Sequence, residues 1–330
     1  MKLNIIYILL TITLVFTGCK QSSTSMLPTV TGQLGDVLVV MNKGKWDRIA
    51  GDTIRSVLMQ AYPGLPKLEP KFNPIFVPTD GFTRIFHSQR NIIIGKIGPG
   101  IETSQIKVKR NLWANTQLIL QIEANNDSAF AHLVHQNKKR IVEIINEAER
   151  KRIISTYKAK PNASVVSKLR ENHNINLTVP TDYSINVEKD NFVWIYSEHR
   201  DIVEGLFVYY YDYKAKNTFT QDFLLNQRNT FLMQHVEGEK EGSFMTTEMR
   251  FPPVVNEFYL KDSTYTFEMR GLWKMQDGFA MGGPFISISQ YDEKRQRIVT
   301  VEGFVFAPAH DKTKYIRRAE AILYSLSFPE

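Results

Sequence analysis

Gly205-Leu206-Phe207-Val208-Tyr209-Tyr210-Tyr211-Asp212-Tyr213 is the stretch whose reading decides the fold. Side chains on a strand alternate between its faces, so Phe207, Tyr209, Tyr211 and Tyr213 share one face and Leu206, Val208 and Tyr210 the other. A strand apolar on both faces has a layer packed against each of them. The aromatic row also suits a glycan or peptide ligand, but a helix lying on the sheet needs the same residues.

Working outward, Thr220 caps a helix carrying Phe223, Leu224, Phe231 and Leu232. Strands are predicted beyond it at 243–250, 257–260, 264–271, 285–289 and 298–306, and a closing helix puts Ile316, Ala319, Leu323 and Leu326 on one face. Upstream lie a short helix over Val165, Val166 and Leu169 and strands at 175–179, 183–187 and 192–196.

The first half opens on Val37-Leu38-Val39-Val40-Met41, an unbroken apolar run that marks a strand covered on both faces. Trp46, Ala50, Ile54, Val57, Leu58 and Ala61 follow at helical spacing and stop at Pro63-Gly64-Leu65-Pro66. Strands are predicted at 74–77, 83–87, 91–97, 105–112 and 117–123, then one long helix to about residue 156 with Phe130, Val134, Ile141, Ile145 and Ala148 on one face. The fold class is therefore α+β: two subdomains, residues 33–160 and 161–330, of mostly antiparallel sheet with flanking helices. The second is similar in element order to PsbP-like sandwiches, an analogy of fold that says nothing about activity.

The 330 residues are 43% hydrophobic and 12% aromatic, enough for a substantial core. Lysine and arginine total 41 against 34 aspartates and glutamates, a net charge of +7 that suits contact with anionic surfaces such as lipid headgroups. No nucleic-acid motif gathers that charge into one patch, so no nucleic-acid partner is expected. The chain has one cysteine, Cys19. Lys2 precedes an apolar run over residues 3–16, too short for a spanning helix and suited to a secretory signal. Phe16-Thr17-Gly18-Cys19 resembles a bacterial lipobox, with Phe16 where leucine is commonest. The resemblance implies a lipoprotein signal peptide over residues 1–18 and diacylglyceryl and palmitate chains on Cys19. Two or more chains hold a protein on a membrane where one holds marginally. Polar Lys20-Gln21-Ser22-Ser23-Thr24-Ser25 reads as part of a flexible tether over 19–32. No aspartate or acidic cluster follows the cysteine, which favours the outer membrane, facing the periplasm, with surface display left open. A lipidated Cys19 leaves no thiol for a disulfide, a metal site or a nucleophile.

Candidate chemistry concentrates in Arg270-Gly271-Leu272-Trp273 and Met281-Gly282-Gly283-Pro284-Phe285. A phosphate cradle needs a helix N-terminus after the glycines, and here a strand follows. The glycines suit a tight connection between strands. Alternatively they border a small-molecule or peptide cleft. There Trp273 is an apolar platform, Arg270 an anion contact, Gly282 and Gly283 allow close approach, and Tyr209 and Tyr211 add aromatic surface. In that cleft Trp273→Ala is expected to weaken binding more than stability.

His132 and His135, one helical turn apart, lack further ligands, as do His235 and Glu237, so no metal is expected. No Gly-x-Ser-x-Gly elbow occurs, and Ser243 does not supply one. The basic clusters Lys138-Lys139-Arg140 and Arg150-Lys151-Arg152, with Lys107, Lys109 and Arg110, read as solvated, salt-bridged faces or as surfaces for anionic membrane or cell-wall polymer. Asp52-Thr53-Ile54, Asp127-Ser128-Ala129 and Asp262-Ser263-Thr264 resemble O-glycan acceptors of exported Bacteroidota proteins, with Ser128 the best placed.

The lipobox, the two glycine motifs and Val301-Glu302-Gly303-Phe304-Val305-Phe306-Ala307-Pro308 together resemble a Bacteroidota lipoprotein family, the domain of unknown function 4837 family. The resemblance spans the chain, including residues 35–41 and 91–94, and implies compartment and architecture. It brings no activity, cofactor or catalytic residue. The expected function is a membrane-anchored cell-envelope lipoprotein that binds a ligand or partner (an envelope protein, glycan or peptide) without catalysis or cofactor. The alternatives are an envelope hydrolase acting on glycan or peptide, and a purely structural envelope component. A deep cleft with convergent ionisable groups favours the enzyme, and an aromatic groove near Trp273 and Tyr209 favours binding.

Overall fold

A computed structural model describes residues 27–260 and 263–330. The expected signal segment, Cys19 and the start of the tether lie outside the described residues, as does Asp262. Among the described residues no helix is long and apolar enough to cross a membrane. The end of the expected tether is tied down, because Thr29 bridges Asn115 and Thr31 bridges Gln89.

The chain is α+β with two subdomains. The first holds a five-stranded sheet of β1 (Asp36–Met41), β2 (Asn73–Pro78), β3 (Asn91–Ile97), β4 (Gln105–Arg110) and β5 (Leu118–Ala124), in the order β2-β1-β3-β5-β4. Pairs β1–β2, β1–β3 and β3–β5 are parallel, and only β4–β5 is antiparallel. The expected antiparallel pairing thus fails for most of this sheet. The unbroken run in β1 is what a parallel strand buried on both faces looks like, and all six of its residues are buried.

The short α1 (Lys43–Trp46) precedes α2 (Ile49–Leu58). With α3 (Asp127–Gln136) and α4 (Lys138–Ala159), α2 covers one sheet face, where Ile54, Leu58, Phe130 and Ile145 are buried against Val37, Val39 and Leu120. Each such side chain contributes about 1.5–3 kcal/mol. The expected single helix is broken at Asn137, whose side chain donates to Leu133 O (2.8 Å) and so competes with the helical pattern. Residues 83–87 form a 3-10 turn rather than a strand, and their Phe86 stacks on Phe82 over the second face.

The second subdomain holds β6 (Ser184–Lys189), β7 (Phe192–His199), β8 (Ile202–Asp212), β9 (Phe244–Thr247), β10 (Val254–Tyr259), β11 (Tyr265–Gln276), β12 (Gly282–Asp292) and β13 (Arg297–Phe306). All pairs are antiparallel, in the order β10-β11-β12-β13-β8-β7-β6, with β9 on the far end of β11. Residues 175–179 make only isolated bridges. Leu206 and Val208 face α5 (Ala163–His173) and α7 (Thr313–Leu323), while Phe207 and Tyr209 face α6 (Gln221–His235). The motif glycines are explained by close approach. A Cβ on Gly303 would lie 2.5 Å from that of Ala319 in α7, and one on Gly205 would lie 2.0 Å from the Phe304 ring.

One buried ion pair fixes α6 to the sheet. Arg228 donates to both carboxylate oxygens of Glu302 (2.8 and 2.6 Å) and to Thr247 Oγ1 (2.7 Å). Its guanidinium lies over the Phe285 ring, 3.7 Å from the centroid.

The subdomains are joined through α7. Glu69 of the first accepts from the backbone of Lys312 and Thr313 and from the Thr313 hydroxyl (2.7–2.9 Å), so a carboxylate meets the positive end of the helix. Arg317 of α7 donates back to Asn146 Oδ1 (2.8 Å) and to the Lys71 carbonyl.

Candidate functional site

The single helix α6 leaves part of its sheet face uncovered. Beyond His235, where α6 ends, the face opens into a cavity of about 350 Å³. Its walls carry Trp194 and Tyr196 from β7, Trp273 and Met275 from β11, and Phe304 and Phe306 from β13. Met245 and Met281 add flexible thioether surface, and Phe279 on the β11–β12 connection stands at the mouth, 63% exposed. Trp273 meets Phe304 edge to face at 5.7 Å, and Trp194 meets Phe207 likewise at 5.8 Å.

The charged side chains of this cavity are of one sign. Glu198, Glu237 and Glu239 line it, and no lysine, arginine or histidine does. The two indole N–H groups differ. Trp273 Nε1 donates to Val305 O (3.2 Å), whereas the buried Trp194 Nε1 has no partner. A buried donor without an acceptor costs about 1–3 kcal/mol.

The expected site residues are divided between two places. Arg270 and Trp273 are three apart on β11, so alternation puts them on opposite sheet faces, and the proposed shared cleft does not form. Trp273 is 4% exposed and belongs to the core, with one part of its ring in the cavity wall. Tyr209 and Tyr211 pack under α6 against Phe231 at 4.9 and 6.3 Å, away from the cavity. Gly282 and Gly283 pass the chain close beside its neighbours. A Cβ on Gly283 would lie 2.0 Å from Val305 O, and one on Gly282 would lie 2.7 Å from Trp273 O.

Arg270 belongs to a cleft between the subdomains. It donates to Glu268 (2.7 and 2.9 Å), to Glu320 (2.8 Å) and to Tyr62 Oη (3.2 Å). Arg150 donates to the other oxygen of Glu320 (2.7 Å). Burial alone would raise the Glu320 pKa, yet Arg270 and Arg150 hold its carboxyl well below the usual carboxylate range. The convergent charges are thus locked to one another as an ion network with no proton poised for transfer. Arg152 is also buried, donating to Asn91 Oδ1 (2.5 Å) and Thr116 O (2.6 Å). The solvated-face reading therefore fails for Arg150 and Arg152.

The remaining candidates are scattered. His132 and His135 are exposed on α3, and among the described residues no group of three or more metal-ligating side chains occurs. The His235 ring packs tilted against Phe192 at 4.6 Å, and Ser128 is exposed in the first turn of α3. At the open end of β7, one nitrogen, His199 Nε2, faces both Ser197 Oγ (3.2 Å) and Asp182 Oδ2 (3.3 Å). A hydrolytic triad uses opposite ring nitrogens for those roles.

Trp194, Tyr196, Glu198 and Phe306 were not singled out from the sequence. Part of the signal was present, because alternation in Phe192-Val193-Trp194-Ile195-Tyr196 places every aromatic on one face.

The profile of a family described as Domain of unknown function (DUF4837) matches residues 162–325, the second subdomain. That of a family described as Domain of unknown function (DUF8532) matches residues 30–158, the first. No curated protein matches the chain. Among solved structures, a mutant of the protein Mog1 is similar at 10% identity, covering 47% of this chain and 90% of that one with a TM-score of 0.31. The lipid transfer and protein localization domain of human StarD13 (DLC2) is similar at 10% identity over 43% and 88%, with a TM-score of 0.21. An uncharacterized protein from Rhizobium leguminosarum shares 12% identity over 38% and 92%, with a TM-score of 0.15. Likenesses at these scores carry no argument about activity.

Proposed function

For this chain, which belongs through residues 162–325 to the DUF4837 family, we propose a binding function. It is a cell-envelope lipoprotein, anchored by lipid at Cys19, that holds a ligand non-catalytically in the aromatic cavity beyond α6. The ligand has an apolar or aromatic body and a cationic group. The observation that carries this reading is the lining itself: rings and thioethers, three carboxylates and no base. A cation over aromatic faces is attracted by about 0.5–2 kcal/mol, and neighbouring carboxylates add to that attraction. The Trp194 ring, which lines the cavity, supplies an aromatic face for the ligand.

Titration with the cationic fluorophore dansylcadaverine tests the cavity. Saturable binding with blue-shifted emission is expected. Trp194→Ala should weaken it at least tenfold, and the anionic dye anilinonaphthalene sulfonate should bind far more weakly than the cation. Equal binding of the two dyes, or a Trp194→Ala protein that binds as well as wild type, would overturn the assignment.

The anchor has its own test. Cys19→Ser is expected to move the protein from the membrane fraction to the soluble one, and an unchanged distribution would refute lipidation.

A further inference from the structure

We propose that the cleft between the subdomains is a second binding site, taking a soluble polyanion built of phosphate or carboxylate groups. The cleft separates α4 from the edge strand β10 and encloses about 1060 Å³, room for a ligand of substantial size. Its floor is the closed network of Glu268, Arg270, Glu320 and Arg150, in which each charge already has its partner. The cations above the floor are different. Lys138 and Lys139 make no ion pair among the described residues, and the Lys71 ammonium donates only to Gln60 Oε1 at 3.3 Å.

Six lysines and arginines line the cleft against four glutamates, an excess of two, because the three unpaired lysines face one further carboxylate, Glu143. Burial, with Arg270 and Arg317 nearby, lowers the Lys71 pKa, as expected of an ammonium placed in a positive field. A cleft with low-dielectric walls concentrates such a field and raises the local concentration of anions.

The opposite wall explains why a small ligand fits better than a flat surface. Phe258 stacks on Tyr324 (5.9 Å, 11°), and Tyr259 is 71% exposed. Lys71, Lys138 and Lys139 belong to the first subdomain, and Phe258 and Tyr259 to the second. One ligand therefore touches both, and its binding ties them together. This site lies on the sheet face opposite the aromatic cavity and attracts the opposite charge.

The test is calorimetric titration of sodium tripolyphosphate into the full chain in non-ionic detergent, at constant ionic strength. One saturable site is expected, with a rise in Tm on binding. Lys71→Met keeps the stem and removes the charge, and it should weaken affinity at least tenfold. Arg140→Gln, on the same helix but outside the cleft, should change it less than twofold. Melting curves of both variants are expected to match wild type in the absence of anion. Bound dansylcadaverine should not be displaced by tripolyphosphate. Absence of saturable binding, equal losses in the two variants, or displacement of the dye would each overturn the proposal.

Discussion

Replacing Arg228 by alanine is expected to destabilise the protein by about 3–5 kcal/mol, the loss typical of removing one partner of a buried ion pair. Arg228 is 1% exposed and Glu302 fully buried, so no water reaches the carboxylate left behind. The hydrogen bond to Thr247 and the contact with the Phe285 ring are lost as well. The pH dependence carries a definite sign. Burial already raises the Glu302 pKa against the pull of Arg228. A raised carboxyl contributes stability below its unfolded pKa and loses it as the pH rises through the folded value. Removing Arg228 raises that pKa further, so the loss should grow from pH 5.5 to pH 8. Urea unfolding at the two pH values measures it. A loss below about 1 kcal/mol, or one that shrinks as the pH rises, would show that the pair does not anchor α6. The double replacement Arg228→Met with Glu302→Leu should recover much of the stability, because an apolar pair leaves no charge unsatisfied.

Trp273→Ala is expected to cost about 3–5 kcal/mol, reversing the expectation that this ring serves binding before stability. Its indole is 4% exposed, touches Phe304 and Phe306, and closes a hydrogen bond to Val305 across the β12–β13 region. Truncation removes part of the cavity wall from the core and leaves an acceptor without its donor. A Tm drop of several degrees with dye affinity per folded molecule reduced less than in Trp194→Ala is the expected pattern. An unchanged Tm would place Trp273 among the ligand contacts instead.

The strands of the second subdomain were legible because their apolar residues alternate, and residues 205–213 alone marked an aromatic face that a helix could cover. Parallel pairing in the first sheet was legible too, since an unbroken run such as Val37 to Met41 fits a parallel strand buried on both faces. It was outweighed by the number of short strand candidates around it. The opposite facing of Arg270 and Trp273 follows from an odd spacing on a strand, and assigning them to one site overlooked it. Other features had no local signal. Glu302 and Arg228 are 74 residues apart, and nothing near either announces the pairing. Arg150 and Arg152 sit in a charged run that ordinarily faces water, and only the docking of α7 and the position of Asn91 turn them inward. The cavity lies where α6 has ended and the sheet continues, a relation between elements distant in the chain.

The chain has four tryptophans, and their indole N–H resonances test the aromatic cavity most directly. On addition of dansylcadaverine the Trp194 signal should move most, because its ring lines the cavity. The Trp46 and Trp113 signals, from the first subdomain, should stay in place. A Trp194 signal that remains fixed at saturation, while Trp46 or Trp113 shifts, would contradict the assignment of the cavity as the binding site.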